Sequence, residues 1–515
     1  MLDAHVLLTV TQMRQADQAS MASGRSGLML MEAAGQAVAR AIMQRWAPRP
    51  VCVLCGPGNN GGDGWVVAQR LQSCGWPVTV VSLVPRSSLQ GDAAVVSHQW
   101  SGPVTVLDAE NHLQQGAEAW TGFQAGGGLV VDALFGAGLS RTLDAPVAGM
   151  LQQARMHACA MVAVDVPSGV WGDSGEVGGA PRCDLTVTFF RMKPAHVLMP
   201  SRGYCGEVVV ADIGIQPDAV PEGVVQAWDN HPDLWRHCWP ALGEAGHKYD
   251  RGHAVVWGGA RMPGAARLSA RAAARIGAGL TTLCVPLAAW PVHAAALDSI
   301  MVHGVPDDDA DAMAEGLTCL LHDARHRAVL VGPGAGAGLG MPGVRALVAS
   351  ALRSQRQVVL DADALTAWQD APDMLAQAIQ QWPAREVVLT PHDGEFARLW
   401  GPIRMGDGGR LHRARWAARQ MGAVVVLKGP DTVVAAPDGR ACVNRHASPT
   451  LATAGAGDVL AGLVVGLLAQ GMPAWEAAAA AVWVHGDAAL RLGRGLVADD
   501  LHGMMPSVLQ ALWPR

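Results

Sequence analysis

The stretch "GPGNNGGDG", Gly56–Gly64, follows the apolar run "VCVLC", Val51–Cys55, and carries five glycines and one carboxylate in nine residues. A short run that is apolar throughout and leads into glycines and a helical period is typical of a buried parallel strand. Glycine permits close approach of the backbone to a ligand, and N–H groups at such a turn suit a phosphate. The stretch therefore predicts an α/β fold with a ligand-binding loop at the carboxyl end of a strand.

Apolar runs of this kind alternate with helical periods in both halves of the chain. Between the halves, at about residues 214 to 246, this alternation of strand and helix patterns stops. The segment carries prolines and charges, which is typical of a linker. We therefore expect two α/β domains, the first a Rossmann-like doubly wound sheet, with domain bounds 1–220 and 245–515 and a linker at 221–244. The predicted strands are "PVCVLC", "PVTVVSLV", "GGLVVDALF", "MVAVDVPSG", "LTVTFF" and "GEVVVADIG", then "HAVVWGG", "GLTTLCVP", "AVLVGPG", "QVVLDADAL", "EVVLTPHDGE" and a hairpin in "AVVVLKGPDTVVAAPDG".

The composition indicates a globular protein that acts on small molecules. Half of the 515 residues are hydrophobic, 16% are charged, and the formal net charge is -6 without basic runs, which argues against nucleic-acid and membrane partners. The longest apolar segments, such as "VLAGLVVGLLA", fall short of the ~20 residues of a membrane span. With no signal peptide in the first residues, we expect a cytoplasmic protein, and we expect a homo-oligomer.

Polar and glycine-rich segments end four successive strands of the first half. They are the opening stretch, "DALFGAGLSR" around Asp132, "DVPSG" from Asp165, and "RMKPAH", which contains Lys193. Their spacing is not the G-x-G-x-x-G fingerprint, which disfavours a hydride-transfer enzyme. Lys193 could hold a phosphate or simply cap a strand end. Asp63 is expected to hold the glycine loop by accepting its N–H groups, or to contact the ligand ribose directly. A side chain added at Gly61 or Gly62 is expected to meet the ligand or to force an unfavourable φ.

In this order, "GPGNNGGDG", "DALFGAGL", "DVPSG" and "KPAH" resemble the NAD(P)H-hydrate epimerase family over nearly the whole first half. The resemblance implies a potassium ion bound by Asn60, Asp132 and Ser168. It further implies Asp165 as the acid/base that interconverts the R and S hydrates, although Asp165 could instead orient a ribose or a loop. Ala137 stands where relatives often carry Thr. The implied substrate-lining residues are Asn59, Asn60, Gly61, Gly62, Asp63, Gly136, Ala137, Gly138, Leu139, Ser140, Arg141, Thr142 and Asp165.

The second half carries "ATAGAGDVLAG" before a long helical period. The N–H groups of Gly455, Ala456 and Gly457 would converge on one point, as in an anion hole for a phosphoryl group. Asp458 would then take a proton from a hydroxyl nucleophile, or serve only as a helix cap. This arrangement resembles the ribokinase-like small-molecule kinases.

The set "HKYDRGH", "GGARMPGAARLSA", "VGPGAG", "LDADAL", "TPHDGE", "KGPDT" and "TAGAGDVLAG" looks like the ADP-dependent NAD(P)H-hydrate dehydratase family. Fused to an epimerase domain, it resembles the bifunctional NAD(P)H-hydrate repair enzymes. Magnesium could be organised through waters by Asp361 and Asp363, which could also cap a helix. Ala456 and Asp393 differ from the common family pattern. The resemblance implies that Ala265, Gly336, His392 and Asp458 contact the hydrated dinucleotide and that Lys428, Gly429, Pro430, Asp431, Thr432 and Gly457 contact ADP.

This resemblance implies a bifunctional enzyme that epimerises NADHX and NADPHX and dehydrates the S form with ADP, giving AMP and phosphate. Two alternatives stay open at this point. One is an ATP-dependent kinase for a small alcohol, fused to a dinucleotide-binding module. The other is a first domain that only binds a ligand. His392 could also be a structural histidine, and a choice between ADP and ATP or between NADHX and NADPHX does not follow from the residues.

Overall fold

The computed structural model of the chain divides into two compact units, Met1–Trp228 and Asp229–Arg515. The division lies inside the segment 221–244 that the sequence assigns to the linker. Residues 244 and 245, where we expect the linker to end and the second domain to begin, lie outside the described residues. The structure describes residues 4–107, 127–157, 160–221, 223–241, 243, 246–336, 340–382, 386–401 and 409–513.

The first unit contains a seven-stranded parallel sheet with the order β3-β2-β1-β4-β5-β6-β7. The order reverses between β1 and β4, and in open α/β sheets ligands bind at the carboxyl ends of the strands beside such a reversal. The strands are β1 (Val51–Cys55), β2 (Val78–Ser82), β3 (Val104–Val106), β4 (Leu129–Ala133), β5 (Ala160–Val164), β6 (Leu185–Phe189) and β7 (Glu207–Ala211).

Helices cover both faces of this sheet, as shown by alternate residues of β1, which pack into two different cores. Val51 and Val53 pack in a core with residues of the first four helices, whereas Cys52 and Leu54 pack in a second core with the fifth. The doubly wound fold expected for the first domain is therefore confirmed. The helices described in this unit are α1 (Val10–Ala22), α2 (Gly27–Arg45), α3 (Asn59–Ser73), α4 (Gly91–His98), α5 (Ala145–Met156) and α6 (Arg202–Cys205).

The second sheet has ten strands in the order β11-β10-β9-β12-β13-β14-β15-β16-β17-β8. Strands β9 to β15 pair in parallel, and β16 and β17 form the antiparallel hairpin expected around "PDG". The short β8 spans the division between the units. The strands are β8 (Ala227–Asp229), β9 (His253–Trp257), β10 (Leu280–Pro286), β11 (Met301–Val305), β12 (His326–Val331), β13 (Gln357–Leu360), β14 (Val387–Leu389), β15 (Val424–Leu427), β16 (Thr432–Ala435) and β17 (Ala441–Asn444).

Eleven α-helices are described in the second unit, and the apolar α15 is buried along almost its whole length. Its glycines let it pack closely on α7, since a Cβ at Gly466 would lie 2.8 Å from Ala273. None of the described helices combines the length and hydropathy that crossing a membrane requires. The helices are α7 (Pro263–Arg275), α8 (Trp290–Ala294), α9 (Ala310–Leu321), α10 (Gly340–Arg353), α11 (Asp363–Thr366), α12 (Pro372–Gln380), α13 (Asp393–Trp400), α14 (Gly409–Met421), α15 (Ala456–Ala469), α16 (Ala474–Leu492) and α17 (Ala498–Leu512).

The opening glycines act in a way that the sequence did not predict. Helix α3 already begins at Asn59, so most of the expected loop forms the first turns of a helix, and none of its glycines has a positive φ. Glycine is required there for close packing instead. A Cβ at Gly61 would overlap the carbonyl of Gly56, and one at Gly62 would lie 2.5 Å from Met31 Sδ. The expected penalty from φ is therefore wrong, and the neighbours are protein atoms.

We expect Gly61→Ala to lower the free energy of unfolding of the first unit by about 1–3 kcal/mol, because its Cβ meets a backbone carbonyl that cannot turn aside. Gly58→Ser is the control, since a Cβ at Gly58 has nothing within 4 Å and Ser is a favourable N-cap. Urea unfolding gives the size of the change, and hydrogen exchange of the β1 and β4 amides assigns it to this unit. Equal stability of the two variants would contradict the close-packing explanation.

Candidate functional site

A cavity of about 580 Å³ lies where the carboxyl ends of β1, β4 and β5 meet. Gly61 and Gly62 are buried within the helix start, and the predicted contacts at 140–142 are exposed; neither group is among the lining residues. Their substrate roles stay predictions. The predicted residues that line the cavity are Asn59, Asn60, Asp63, Gly136, Ala137, Gly138, Leu139 and Asp165.

Asp165 and Lys193 form a buried ion pair in this cavity. Lys193 Nζ lies 2.7 Å from Asp165 Oδ1, and Thr188 Oγ1 donates to the same oxygen at 3.0 Å. The N–H of Ala137 donates to Oδ2 at 3.0 Å, and Asp165 itself has a φ of +68°. Both carboxylate oxygens are therefore occupied, and Lys193 serves an aspartate rather than capping a strand end.

This pairing decides the charge of Asp165. Burial raises the pKa of Asp165. The nearby ammonium of Lys193 and its hydrogen bond outweigh this effect and lower the pKa to about 2. Asp165 is therefore ionised at neutral pH. A carboxylate with this pKa is a weak base and is not an acid at neutral pH, so the alternative that Asp165 orients other groups gains support.

Asp132 and Ser168 lie together beneath the cavity. Ser168 donates from Oγ to Asp132 Oδ1 at 2.6 Å and from its backbone N–H to Oδ2 at 2.8 Å. Asn60 approaches from helix α3, since a Cβ placed on Gly136 would lie 3.1 Å from Asn60 Oδ1. Among the described residues, the buried Nδ2 of Asn60 has no hydrogen-bond partner. Ser168 Oγ accepts from the N–H of Phe135 at 2.9 Å, so Ser168 and Asn60 both lie beside the segment that follows β4. The oxygens of the three predicted potassium ligands are the ligand type that a hard cation prefers.

Three charged cavity residues were not predicted from the sequence because they lie on helices rather than at a strand end: Arg14 and Asp17 on α1, and Asp92 on α4. Arg14 and Asp17 line the cavity and are three positions apart, which places them on one face of the helix. Burial raises the pKa of Asp17 to about 6, with Lys193 acting in the opposite direction. A polar pair on the face that also buries Met13 and Ala16 was the signal available in the sequence.

Asp63 does not hold the glycine segment as expected. Among the described residues, no hydrogen bond to its carboxylate is formed; instead, the side chain lines the cavity. Burial raises its pKa well above the ordinary value, and the negative charges of Asp165 and Asp17 add to the shift while Lys193 opposes it. The expectation that Asp63 accepts loop N–H groups is therefore wrong.

The second unit also has a lysine paired with a buried strand-end aspartate. Lys428 Nζ lies 2.7 Å from Asp361 Oδ1 and 3.8 Å from Glu395 Oε2. Although burial lowers the pKa of Lys428, these two carboxylates raise it above its ordinary value. The predicted ADP contact is thus a fully charged lysine at the carboxyl edge of the sheet.

The predicted anion hole lies beside this lysine. Gly455 precedes α15 in a left-handed conformation with a φ of +89°, and a Cβ on Gly457 would lie 3.4 Å from Lys428 Nζ. Burial and the charge of Asp361 raise the pKa of Asp458 to about 6, against the effect of Lys428. Asp458, Gly457 and Lys428 are therefore brought together, as the sequence predicted.

Other predicted contact residues of this unit lie at the same edge of the sheet, where hydrogen bonds hold the local backbone. His392 caps α13, because its Nδ1 accepts from the N–H groups of Gly394 and Glu395 at 2.9 and 3.2 Å. Its ring is half exposed, so capping does not prevent a ligand contact. Asp363 accepts from the N–H of Gly336 at 2.8 Å, which fixes the glycine loop.

Arg410, which was not predicted from the sequence, binds the segment Lys428–Thr432 through hydrogen bonds and an ion pair. Its guanidinium donates to the carbonyls of Leu427 and Lys428 and lies 3.2 Å from Asp431 Oδ1. Another nitrogen of Arg410 contacts Asp393, the residue that departs from the family pattern, at 2.8 Å. Asp431 is therefore buried in an ion pair, and its predicted contact with ADP remains untested.

Comparisons with known proteins cover the whole chain. The NAD(P)H-hydrate dehydratase family matches residues 254–506, and the YjeF-related protein N-terminus matches residues 27–195. The bifunctional NAD(P)H-hydrate repair enzyme of Salinibacter ruber is 38% identical over 98% of this chain and 96% of its own length. That of Moorella thermoacetica is 36% identical over 98% and 97%. The chain belongs to the bifunctional NAD(P)H-hydrate repair enzymes.

A solved structure is also similar to part of the chain. The ADP/ATP-dependent NAD(P)H-hydrate dehydratase of Bacillus subtilis, co-crystallised with ATP and Mg²⁺, is 27% identical over 55% of this chain and 98% of its own, with a TM-score of 0.45. The two sheets and the two family matches confirm the expected pair of α/β domains. The kinase alternative is disfavoured, because the curated relatives match over both halves.

For this repair-enzyme chain we expect Lys193→Met to lower the free energy of unfolding by about 3 kcal/mol at pH 7, because it leaves a buried carboxylate unpaired. The contribution of ionised Asp165 is present above its ordinary pKa and is lost as the pH falls through about 2. The loss in Lys193→Met should therefore shrink in acid. Urea unfolding at several pH values measures it, and the double variant Lys193→Met/Asp165→Asn should recover stability; a double variant as weak as the single one would refute the pairing argument.

Proposed function

We propose that this chain repairs hydrated NAD(P)H with one active site in each unit. The first unit interconverts the R and S epimers of NADHX and NADPHX, and the second dehydrates the S epimer at the expense of ADP, giving AMP and phosphate. The observation that carries the proposal is the match to bifunctional repair enzymes over 98% of the chain. A dehydratase that accepts one epimer needs an epimerase to recover the other, which explains the fusion.

In the first unit, the residues fit a potassium ion at Asn60, Asp132 and Ser168. Asp132 is completely buried, and its hydrogen-bond donors among the described residues, Ser168 and Leu134, are neutral. Burial accordingly raises the pKa of Asp132. A bound cation would supply the missing positive charge and draw the loops after β4 and β5 together. Asp165, held by Lys193, would orient the substrate beside them.

In the second unit, Asp458 is the proposed base for phosphoryl transfer. It takes the proton of the C6 hydroxyl while that oxygen attacks the terminal phosphorus of ADP, and the bond to AMP breaks. The N–H groups of Gly455 to Gly457 and the ammonium of Lys428 stabilise the charge on the transferred group. Phosphate then leaves C6 with the electrons of the C–O bond, the ring nitrogen assists, and loss of a C5 proton restores the double bond.

Magnesium, when bound, would balance phosphate charge in this unit. The carboxylates of Asp361 and Asp363 have the oxygen chemistry that magnesium prefers and lie at the same sheet edge. Asp361 also pairs with Lys428, and Asp363 accepts from Gly336, so each side chain has one oxygen engaged by the protein. The homo-oligomeric state and the cytoplasmic location stay predictions.

The direct test supplies the purified full chain with mixed NADHX epimers and either ADP or ATP. We expect complete recovery of nicotinamide absorbance, together with AMP and phosphate when ADP is the donor. Recovery of only the S fraction would remove the epimerase from the proposal. Accumulation of a stable phosphorylated product would remove the dehydratase and restore the kinase alternative.

Asp458→Asn should slow dehydration by about 100-fold or more, because the hydroxyl nucleophile loses its base. The exchange of R and S epimers should continue, since the proposed epimerase residues lie in the first unit. Both rates are measured on one preparation. The control is Asp373→Asn, which removes an exposed carboxylate of the same unit. A parallel fall of both activities in the folded Asp458→Asn variant would contradict the assignment of two sites.

Asp132→Asn should slow epimerisation and weaken its dependence on potassium, because the proposed ion site loses its carboxylate charge. Dehydration of the S epimer should persist. Titration of epimerase activity with potassium, against choline as a counter-ion control, measures the effect. Asp218→Asn, at an exposed position of the first unit, is the matched variant. An unchanged potassium dependence in Asp132→Asn would take this residue out of the ion site.

A further inference from the structure

The cavity of the first unit contains more carboxylates than its cations can pair. Its charged lining residues come from five different parts of the unit, which are α1, α3, α4 and the segments after β5 and β6. Asp165 is paired with Lys193, as described above. The charged lining residues are Arg14, Asp17, Asp63, Asp92, Asp165 and Lys193.

Asp17 and Asp63 differ from Asp165 in having no partner among the described residues. Within the part of the chain that the structure describes, no hydrogen bond or ion pair reaches either carboxylate. The charges of the paired residues nevertheless act on both carboxyl groups: Asp165 raises the pKa of Asp17 and of Asp63, and Lys193 lowers it. They are carried by two separate helices, α1 and α3, and both side chains line the one cavity that also holds Asp165.

We propose that Asp17 and Asp63 are the proton-transfer pair of the epimerase, with Asp165 as a positioning residue. This inference rests on the proposed function of the first unit. Neither carboxyl group is paired with another residue in the described part of the chain, and both line a cavity large enough for a nicotinamide ring. An epimerase that passes a proton in at one face of C6 and out at the other needs two such groups.

The proposed step balances without any oxidant or further reactant. Protonated Asp63 donates to the C6 hydroxyl, the C6–O bond breaks, and water leaves while the lone pair of the ring nitrogen forms the N1=C6 bond. Water then adds to the opposite face of C6, the N1=C6 electrons return to nitrogen, and ionised Asp17 accepts the proton. The two residues have now exchanged protonation states, which readies the site for the reverse direction.

The charges of the two groups suit these roles at neutral pH. Burial, Asp165 and Asp17 keep the pKa of Asp63 well above its ordinary value, so that it can hold a proton. The pKa of Asp17 is about 6, so that it is mostly ionised at pH 7. Arg14 from the same helix, Asp92 from α4 and Lys193 complete the charged surroundings of Asp17 in the cavity.

The test measures R-to-S exchange of NADHX by chromatography, with the full chain and without ADP. Asp17→Asn and Asp63→Asn should each lower kcat by about 100-fold or more, with a much smaller change in KM. In the wild-type protein, kcat/KM should fall below about pH 6, where Asp17 becomes protonated. The residual activity of Asp17→Asn should lack this acidic limb, and formate should partly restore the activity of Asp17→Ala.

The controls separate this inference from the function on which it rests. Asp218→Asn removes an exposed carboxylate of the same unit and should keep the wild-type rate. Hydrogen exchange of the β1 and β4 amides shows that the first unit of each variant is folded. Wild-type protein that exchanges no epimers would overturn the proposed function. Wild-type exchange together with an unaltered kcat and pH profile in Asp17→Asn would overturn the proton-transfer pair alone, and the formate experiment decides the case if Asp63→Asn does not fold.

Discussion

A lysine paired with a strand-end aspartate, both largely removed from water, organises the polar residues of each unit. Lys193 and Asp165 are 2.7 Å apart in the first, and Lys428 and Asp361 are 2.7 Å apart in the second. An unpaired charge at either position would carry the full cost of removing an ion from water, so each residue requires its partner. In both units the pair lies at the carboxyl edge of a parallel sheet, where the family's ligands are expected to bind.

Each lysine is outnumbered by carboxylates, and this imbalance creates groups that can exchange protons. Once Lys193 has paired with Asp165, Asp63 and Asp17 have raised pKa values. Lys428 likewise pairs with Asp361 and leaves Asp458 with a pKa of about 6. A surplus of partly buried carboxylates is unfavourable for folding, because each must either take up a proton or stay ionised with less hydration than in the unfolded chain. Both proposed reactions need such groups, since a carboxyl with its ordinary pKa is a poor proton acceptor at pH 7.

The sequence predicts the buried parts of this protein better than its edges. Central parallel strands are covered on both faces and therefore read as continuous apolar runs, whereas the edge strands β3 and β11 are largely exposed and were not predicted. The same distinction applies to the sites. Asp165, Lys428 and Asp458 follow strands or begin a helix and were found. Asp17 was missed because its helix reaches the cavity only through the tertiary fold.

The glycines of the opening stretch connect the fold to this chemistry. Because Gly61, Gly62 and Gly64 have no Cβ, the first turns of α3 can lie against the carbonyl of Gly56, Met31 of α2 and Ala133 of β4. Asp63 stands between these glycines, so close packing holds its carboxylate at the cavity, near Asp165 and Lys193. A helix start with ordinary side chains would stand farther from the sheet and leave Asp63 nearer to water, with a pKa closer to its usual value. The lack of side chains at the glycines of Gly56–Gly64 therefore does more than make room for a ligand. It allows the close packing that raises the pKa of Asp63, the one carboxylate in the stretch.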